Sequence, residues 1–297
     1  VEILVFGAGA MGSFFGGLLS ERNEVVLVGR RDHMVAIRAH GLKITGKTVR
    51  LARPRVATRI PSGLRPELVL VATKAYDTAR AMVALRRFSR RAIFLTLQNG
   101  LDNPEIIART AERVVAGTTA HGVTYVGPGE IRHAGLGDTV IGGWRGVRDA
   151  DLVRLRDLFE DAGIPTKISR DIRTDLWAKL VVNAAINPVA ALAGVPNGRL
   201  VRDKRLFTLV REVCREAVSV ARAEGVNLDP EDMVHRTALI ARRTAGNRSS
   251  MLQDLERHRP TEIDAITGAV LRAAARHGLE VPRNEALHAL VKAREAA

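Results

Sequence analysis

Ile3-Leu4-Val5-Phe6-Gly7-Ala8-Gly9-Ala10-Met11-Gly12 is the stretch from which the fold of the first half can be read. A short, wholly apolar run has the pattern of a strand buried on both faces. It passes at once into G-x-G-x-x-G and then into Phe14, Phe15, Leu18 and Leu19 at helical spacing. Strand, glycine turn and helix in that order form the dinucleotide-binding arrangement. Gly7 permits the tight turn, Gly9 lets backbone N–H groups approach a pyrophosphate, and Gly12 lets helix and strand pack closely, with the helix dipole favouring the anion. The candidate cofactor-binding residues are therefore Gly7, Ala8, Gly9, Ala10, Met11 and Gly12. Without a strand before and a helix after, the same glycines would read as a turn that holds no ligand.

The next strand, Val25-Val26-Leu27-Val28, ends at Gly29-Arg30-Arg31, about where an acid would meet the adenosine ribose. A carboxylate there accepts from a 2′-hydroxyl and repels a 2′-phosphate, whereas a guanidinium pairs the phosphate and stacks on adenine. Arg30 is the expected phosphate contact, so NADPH is expected over NADH. Asp32, one residue past the pair, keeps NADH open. Further strand-like runs at 68–72, 93–97 and 114–117 alternate with helical patterns at 78–88 and 103–111, which implies a doubly wound, mainly parallel sheet. Ligands of such sheets sit beyond the carboxyl ends of the strands. Thr73-Lys74 and Gln98-Asn99-Gly100 fall on that rim, which makes Lys74 and Asn99 candidates by position.

Leu42-Lys43-Ile44 and Val49-Arg50-Leu51 read as a hairpin, and 123–126, 130–133 and 139–141 as antiparallel strands that extend the sheet. Residues 151–163 read as a helix and 164–169 as a last strand and linker. From about Asp171 the pattern is helical almost throughout, so the expected division is a Rossmann domain over 1–168 and an all-α domain over 169–297. A chain of 297 residues has room for two such cores.

Composition narrows the classes. Hydrophobic residues make up 46% and charged residues 26%, as in an ordinary globular chain, and no uninterrupted apolar run approaches the roughly 20 residues of a membrane span, the most apolar stretch, 180–195, being broken by Asn183, Asn187 and Pro188. No secretory pattern opens the chain, and a cytoplasmic location is expected. The single cysteine, Cys214, excludes an internal disulfide and a cysteine-rich zinc site, and the histidines show no tight ligand spacing; no metal is expected. The net charge of +14 raises the question of nucleic acid, but the arginines are spread along the chain and aromatic residues make up only 4%. The expected partner is an anionic small molecule rather than nucleic acid or membrane.

The second half carries its information in Asp171-Ile-Arg-Thr-Asp-Leu-Trp-Ala-Lys179-Leu-Val-Val-Asn183-Ala-Ala-Ile-Asn187. This helix is apolar nearly all round, as a buried helix is. Lys179, Asn183 and Asn187 nevertheless recur at i, i+4 and i+8 and form one polar line. Buried amides and ammonium groups need partners, which a ligand cleft or neighbouring loops and Asp175 would supply. Pro188 is expected to end or kink the helix after Asn187. Further on, Arg259-Pro260-Thr261-Glu262-Ile263-Asp264 opens a helix in which Glu262 is expected as a first-turn acid, and Asn247-Arg248-Ser249-Ser250 precedes another.

Taken with Thr73-Lys74, Gln98-Asn99-Gly100, Lys179 to Pro188, Ser249-Ser250-Met251-Leu252-Gln253-Asp254 and Thr261-Glu262-Ile263-Asp264, the glycine motif gives the chain a resemblance to the ketopantoate reductase (2-dehydropantoate 2-reductase) family nearly end to end. The resemblance implies a Rossmann domain and a helical domain with the active site between them, and NADPH-dependent reduction of a 2-oxo acid. It implies that Lys179 is the catalytic general acid and that Glu262 holds and polarises the substrate. Asn183, Asn187 and Ser250 are implied to bind the substrate's polar groups, Lys74 and Asn99 to sit near the nicotinamide, and Arg30 to meet the 2′-phosphate. Independently, a ketone that accepts a hydride develops charge on its oxygen, and a positioned ammonium can stabilise that charge and deliver the proton. A homodimer is expected, since helical domains of this kind often pair. A sibling reductase of another 2-oxo acid, or a non-catalytic NADP-binding regulator, remains compatible with the residues.

Overall fold

The apolar runs and their connectors form, in chain order, β1 (Glu2–Phe6), β2 (Glu24–Val28), β3 (Leu42–Gly46), β4 (Arg50–Ala52), β5 (Arg55–Ala57), β6 (Leu68–Val71), β7 (Ile93–Thr96), β8 (Val114–Thr119), β9 (Gly122–Gly127), β10 (Glu130–Gly135), β11 (Thr139–Arg145) and β12 (Thr166–Ile168). Among them run α1 (Ala10–Leu19), α2 (Arg31–His40), α3 (Thr78–Leu85), α4 (Asn103–Ala108) and α5 (Asp149–Asp161). In this computed structural model, residues 1–296 are described. They divide into two units: Val1–Gln98 with Asn103–Ile172, and Asn99–Asp102 with the chain from Arg173 onward.

The first unit is built on an eight-stranded sheet of order β12-β11-β8-β7-β6-β1-β2-β5. All neighbours are parallel except β8 and β11. β1 pairs with β2 on one side and β6 on the other, Phe6 lying opposite both Val28 and Val71. The winding direction therefore reverses at β1, and the turns after β1 and β6 leave the sheet side by side. Ligands of open parallel sheets bind at such a reversal. Every residue of β6 and β7 is buried, as expected for central strands covered on both faces.

The structure corrects one expectation here. Residues 122–135 do not extend the main sheet; β9 and β10 join the β3–β4 hairpin in a separate four-stranded sheet, order β4-β3-β10-β9, through a parallel β3–β10 pairing. Of these three segments only β11 joins the main sheet. α1 lies between the two layers because it carries small residues toward both. Gly16 rests against Val5 and Leu27, and Gly17 against Leu42, Ile44 and Ala52. A buried histidine ties the layers at the same end: Gly129 N–H donates to His33 Nδ1 at 2.9 Å, which leaves Nε2 as the protonated nitrogen facing Ser13 Oγ at 2.9 Å.

The second unit consists of α6 (Ile172–Ala193), α7 (Asn197–Arg202), α8 (Lys204–Ala223), α9 (Pro230–Arg243), α10 (Ser250–Glu256), α11 (Ile263–Arg276) and α12 (Pro282–Ala296). Asp203 and Asp229 cap α8 and α9 with their carboxylates. Cys214 is fully buried on α8, and burial pushes its thiol up to about 11, so it is a core residue rather than a nucleophile. α6 is long and apolar enough to cross a membrane, yet Trp177, Val181, Ala184, Ala185 and Val189 are buried in the core of this unit.

Two helix boundaries are open or misplaced from sequence alone. Of the end or kink expected at Pro188, no end forms: α6 continues to Ala193. Pro188 withholds the N–H that would meet the Ala184 carbonyl, but burial of Val189, Ala190 and Ala191 holds the following turn in helical geometry. α11 begins at Ile263, so Pro260 lies outside it and Glu262 is its N-cap residue rather than a first-turn acid.

Candidate active site

The turn after β1 fits a dinucleotide phosphate. Gly7 has φ of 108°, a conformation that strains any L side chain, and Gly7 and Ala8 both donate to the Val28 carbonyl at 3.0 Å, pinning the turn to the end of β2. A Cβ on Gly12 would lie 2.2 Å from the Gly7 carbonyl oxygen, so no side chain fits there. A Cβ on Gly9 would meet nothing within 4 Å; its outer face is open to a ligand. α1 follows directly, with no acidic residue in its first turn and with the N–H groups of Ala10, Met11 and Gly12 beyond reach of an intrahelical acceptor. An open face, donors without an intrahelical acceptor and no carboxylate in the first turn are what a pyrophosphate needs.

Arg30 stands at the N-cap of α2 and is exposed, with its guanidinium charge close enough to His33 to help burial lower that imidazole to about 4. Gly29 before it packs closely on Ala8, where an added Cβ would lie 2.7 Å from the Ala8 Cβ. Arg30 therefore projects from the same rim as the glycine turn. Asp32 is exposed in the first turn of α2. Lys74 follows β6, half-buried, and its carbonyl accepts from Asp77 N–H at 2.9 Å. Gln98 braces this rim: its Nε2 donates to the Thr73 carbonyl at 2.7 Å and to Thr78 Oγ1 at 2.9 Å, and its Oε1 accepts from Thr96 Oγ1 at 2.9 Å.

In the helical unit, α6 presents Lys179, Asn183 and Asn187 on one line, and the segment Asn99–Asp102 belongs to this unit. Asn99 Nδ2 donates to Glu262 Oε2 at 3.0 Å, and Asn183 Nδ2 reaches Asn99 Oδ1 at 3.5 Å. Lys179 is half-buried among Leu176, Leu180 and Val182, and burial of its ammonium lowers its pKa to about 8, opposed by the negative charge of Glu262. At neutral pH it remains mostly protonated, yet it gives up its proton far more readily than an exposed lysine. The structure thus brings together Lys179, Asn183, Asn99 and Glu262.

Asn187 is 8% exposed one turn further along α6, and Ser250 is exposed at the first position of α10. The buried neighbour Ser249, rather than Ser250, caps α10 by accepting from Leu252 N–H at 3.2 Å. Asn197 was not singled out from the sequence, because Pro196-Asn197-Gly198 reads as a turn. It is 8% exposed, its Nδ2 donates to Thr244 Oγ1 at 3.0 Å, and its buried Oδ1 has no partner among the described residues. An open acceptor of this kind is costly unless something fills it.

A doubly wound sheet with a glycine-rich first turn, joined to a helical unit with a lysine beside a carboxylate, defines a dinucleotide-dependent oxidoreductase. Two family descriptions match the chain: "Ketopantoate reductase PanE/ApbA" over residues 3–146 and "Ketopantoate reductase PanE/ApbA C terminal" over residues 171–295. The chain belongs to the ketopantoate reductase family. A curated 2-dehydropantoate 2-reductase from Halobacterium salinarum is 39% identical over 98% of both chains. Among solved structures, a PanE/ApbA family ketopantoate reductase from Ralstonia eutropha JMP134 is 34% identical, with a TM-score of 0.91 over 100% of this chain and 99% of that one. A ternary structure of D-mandelate dehydrogenase with NADH and anilino(oxo)acetate is 26% identical, with a TM-score of 0.93 over the same shares.

Proposed function

We propose that this protein reduces 2-dehydropantoate to (R)-pantoate with NADPH, a step toward pantothenate and coenzyme A. The observation that carries the reading is the cluster of Lys179, Asn183, Asn99 and Glu262, in a chain whose full-length relatives are named for this reaction. Residues 1–168, apart from Asn99–Asp102, which belong to the helical unit, are proposed as the NADP-binding domain, and 169–297 as the substrate-binding and catalytic domain. A cytoplasmic homodimer is the assembly that accompanies this reading.

Bound NADPH would supply the hydride to the keto carbon. The N–H groups of the Gly7–Gly12 turn bind its pyrophosphate, Arg30 its 2′-phosphate, and Lys74 and Asn99 act on the nicotinamide side. Lys179 Nζ donates to the keto oxygen, stabilises the charge that grows there, transfers its proton to give the alcohol and is reprotonated from solvent. Glu262 keeps a negative charge beside Lys179 and accepts from the substrate hydroxyl. Asn183, Asn187 and Ser250 hold the remaining polar groups.

The first test is oxidation of NADPH and of NADH in the presence of 2-dehydropantoate and a panel of other 2-oxo acids. Efficient turnover of 2-dehydropantoate supports the reading. Turnover of another acid alone moves the protein to a sibling reductase, a reading that the likeness to D-mandelate dehydrogenase favours. No turnover of any acid favours a non-catalytic regulator.

Two further outcomes follow from individual side chains. Arg30→Ala is expected to weaken NADPH about ten- to a hundredfold, the loss of one charged hydrogen-bonding partner, while leaving NADH unchanged in the same fluorescence titration. Equal loss for both cofactors removes Arg30 from the phosphate. Because the acid form of Lys179 is the active one and its pKa lies at about 8, kcat/KM, which reports the free enzyme, is expected to be level at neutral pH and to fall above about 8. A profile that stays level to the ordinary range of lysine excludes Lys179 as the group that titrates.

A further inference from the structure

Glu262 occupies an unusual position for a functional carboxylate. It is the N-cap residue of α11, yet its side chain makes no capping hydrogen bond; the Ile263 N–H is taken by Thr261 Oγ1 at 3.1 Å, and the Glu262 carboxylate reaches Asn99 instead. A residue released from its capping role needs its backbone held by other means. α12 supplies them on both sides. Upstream, Glu295 Oε1 accepts from the Thr261 N–H at 2.7 Å, with the Glu295 side chain only 13% exposed. Downstream, Asp264 accepts from Lys292 Nζ at 3.0 Å and faces His288 Nε2 at 2.7 Å. Lys292 closes the frame by pairing with Glu295 Oε2 at 2.9 Å.

The other partner of Glu262 is steadied from α11 itself. The Arg272 guanidinium donates to the Asp264 carbonyl at 3.2 Å and to Asp102 Oδ2 at 2.6 Å, and Asp102 closes the short segment that carries Asn99.

We propose that Glu295, supported by Lys292, is a positioning residue for Glu262: it fixes the backbone before the carboxylate and so keeps that carboxylate beside Lys179. The inference rests on the reductase reading for its effect on turnover, but not for its geometry. Burial alone pushes the Glu295 carboxyl up, and hydrogen bonds from Thr261 and Lys292 together take it below its ordinary value, so the anchor is ionised at neutral pH. Asp264 behaves in the same way toward Lys292 and His288.

The test compares Glu295→Ala with Glu295→Gln, which keeps an acceptor for the Thr261 N–H. One measurement needs no substrate: titration of the Lys179 ε-carbon by NMR in lysine-labelled protein, assigned by its absence in Lys179→Arg, in a spectrum with seven lysines. The other is kcat and KM on the 2-oxo acid. E295A is expected to move the Lys179 titration to lower pH, since the neighbouring negative charge is no longer held in place, and to lower kcat about ten- to a hundredfold, as misplacement by about 1 Å does. E295Q is expected to stay near wild type in both. An E295A protein that melts earlier but has an unchanged titration and kcat would mean that α12 is only packing and overturns the proposal, as would equal damage in E295Q. If E295A does not fold, Glu295→Met, which keeps the bulk of the side chain but offers the Thr261 N–H no acceptor, carries the test, with the same downward shift expected and an unchanged titration overturning it. A wild type that turns over no 2-oxo acid sinks the reductase reading, while the titration still decides the role of Glu295.

Discussion

Lys179→Ala is expected to lower kcat on 2-dehydropantoate by about 10²–10⁴-fold, the range associated with a positioned general acid. Affinity for the dinucleotide, followed by fluorescence, is expected to survive, because the glycine turn and Arg30 lie in the other unit. Thermal stability should not suffer either. The buried ammonium is held at a cost that shows in its lowered pKa, and alanine removes that cost along with the charge. Its neighbours in the cluster, Asn99, Asn183 and Glu262, include no second cation that could take over the proton transfer. Lys179→Arg separates the two duties, since a guanidinium keeps the charge but does not release a proton in this range. Recovery of kcat in the arginine variant would mean that electrostatics alone suffices, and an unchanged kcat in the alanine variant would remove Lys179 from the chemistry.

Gly12→Ala is expected to abolish useful cofactor binding, with NADPH affinity falling by at least about a hundredfold, or about 2.7 kcal/mol. The added Cβ would sit 2.2 Å from the Gly7 carbonyl oxygen and 3.1 Å from both the Gly7 carbonyl carbon and the Ala72 Cβ. Two of these three neighbours are backbone atoms of the turn itself, so relief requires α1 to move away from the strand it follows. That overpacking should also cost about 1–3 kcal/mol in a melt. Gly9→Ala provides the contrast. Its Cβ enters open space, so the fold should keep its stability while the cofactor loses room. Equal melting losses in the two variants would contradict this picture of the turn.

The strand, turn and helix at 2–19 were legible because every requirement there is local: an apolar run, glycines where backbone must pass backbone, and helical spacing after them. The line of Lys179, Asn183 and Asn187 was legible for the same reason, since helix periodicity places residues on one face without knowledge of the partner. Less legible was whatever depends on distant pairing. The parallel alignment of β3 with β10 joins segments more than eighty residues apart, and nothing in either reveals it. At Pro188 the local rule left a helix end and a continuing, kinked helix equally open, and burial of the residues that follow, which the rule does not see, carries the helix on to Ala193. The partnership of Asn99 with Glu262 spans 163 positions, and at the sequence level Asn99-Gly100 reads first as a turn.

Asn99–Asp102 belongs to the helical unit although the chain on either side belongs to the other. The two halves of the polypeptide are therefore not two modules that can be exchanged at a single cut near residue 172. A recombinant joining the N-terminal half of one relative to the C-terminal half of another would inherit Glu262 and Lys179 from one parent and the amide that binds Glu262 from the other. Heredity at these two places is linked: the loop and the helix have to travel together, or be matched again by later substitutions. A chimera that also transplants residues 99–102 should recover activity that a single-junction chimera lacks.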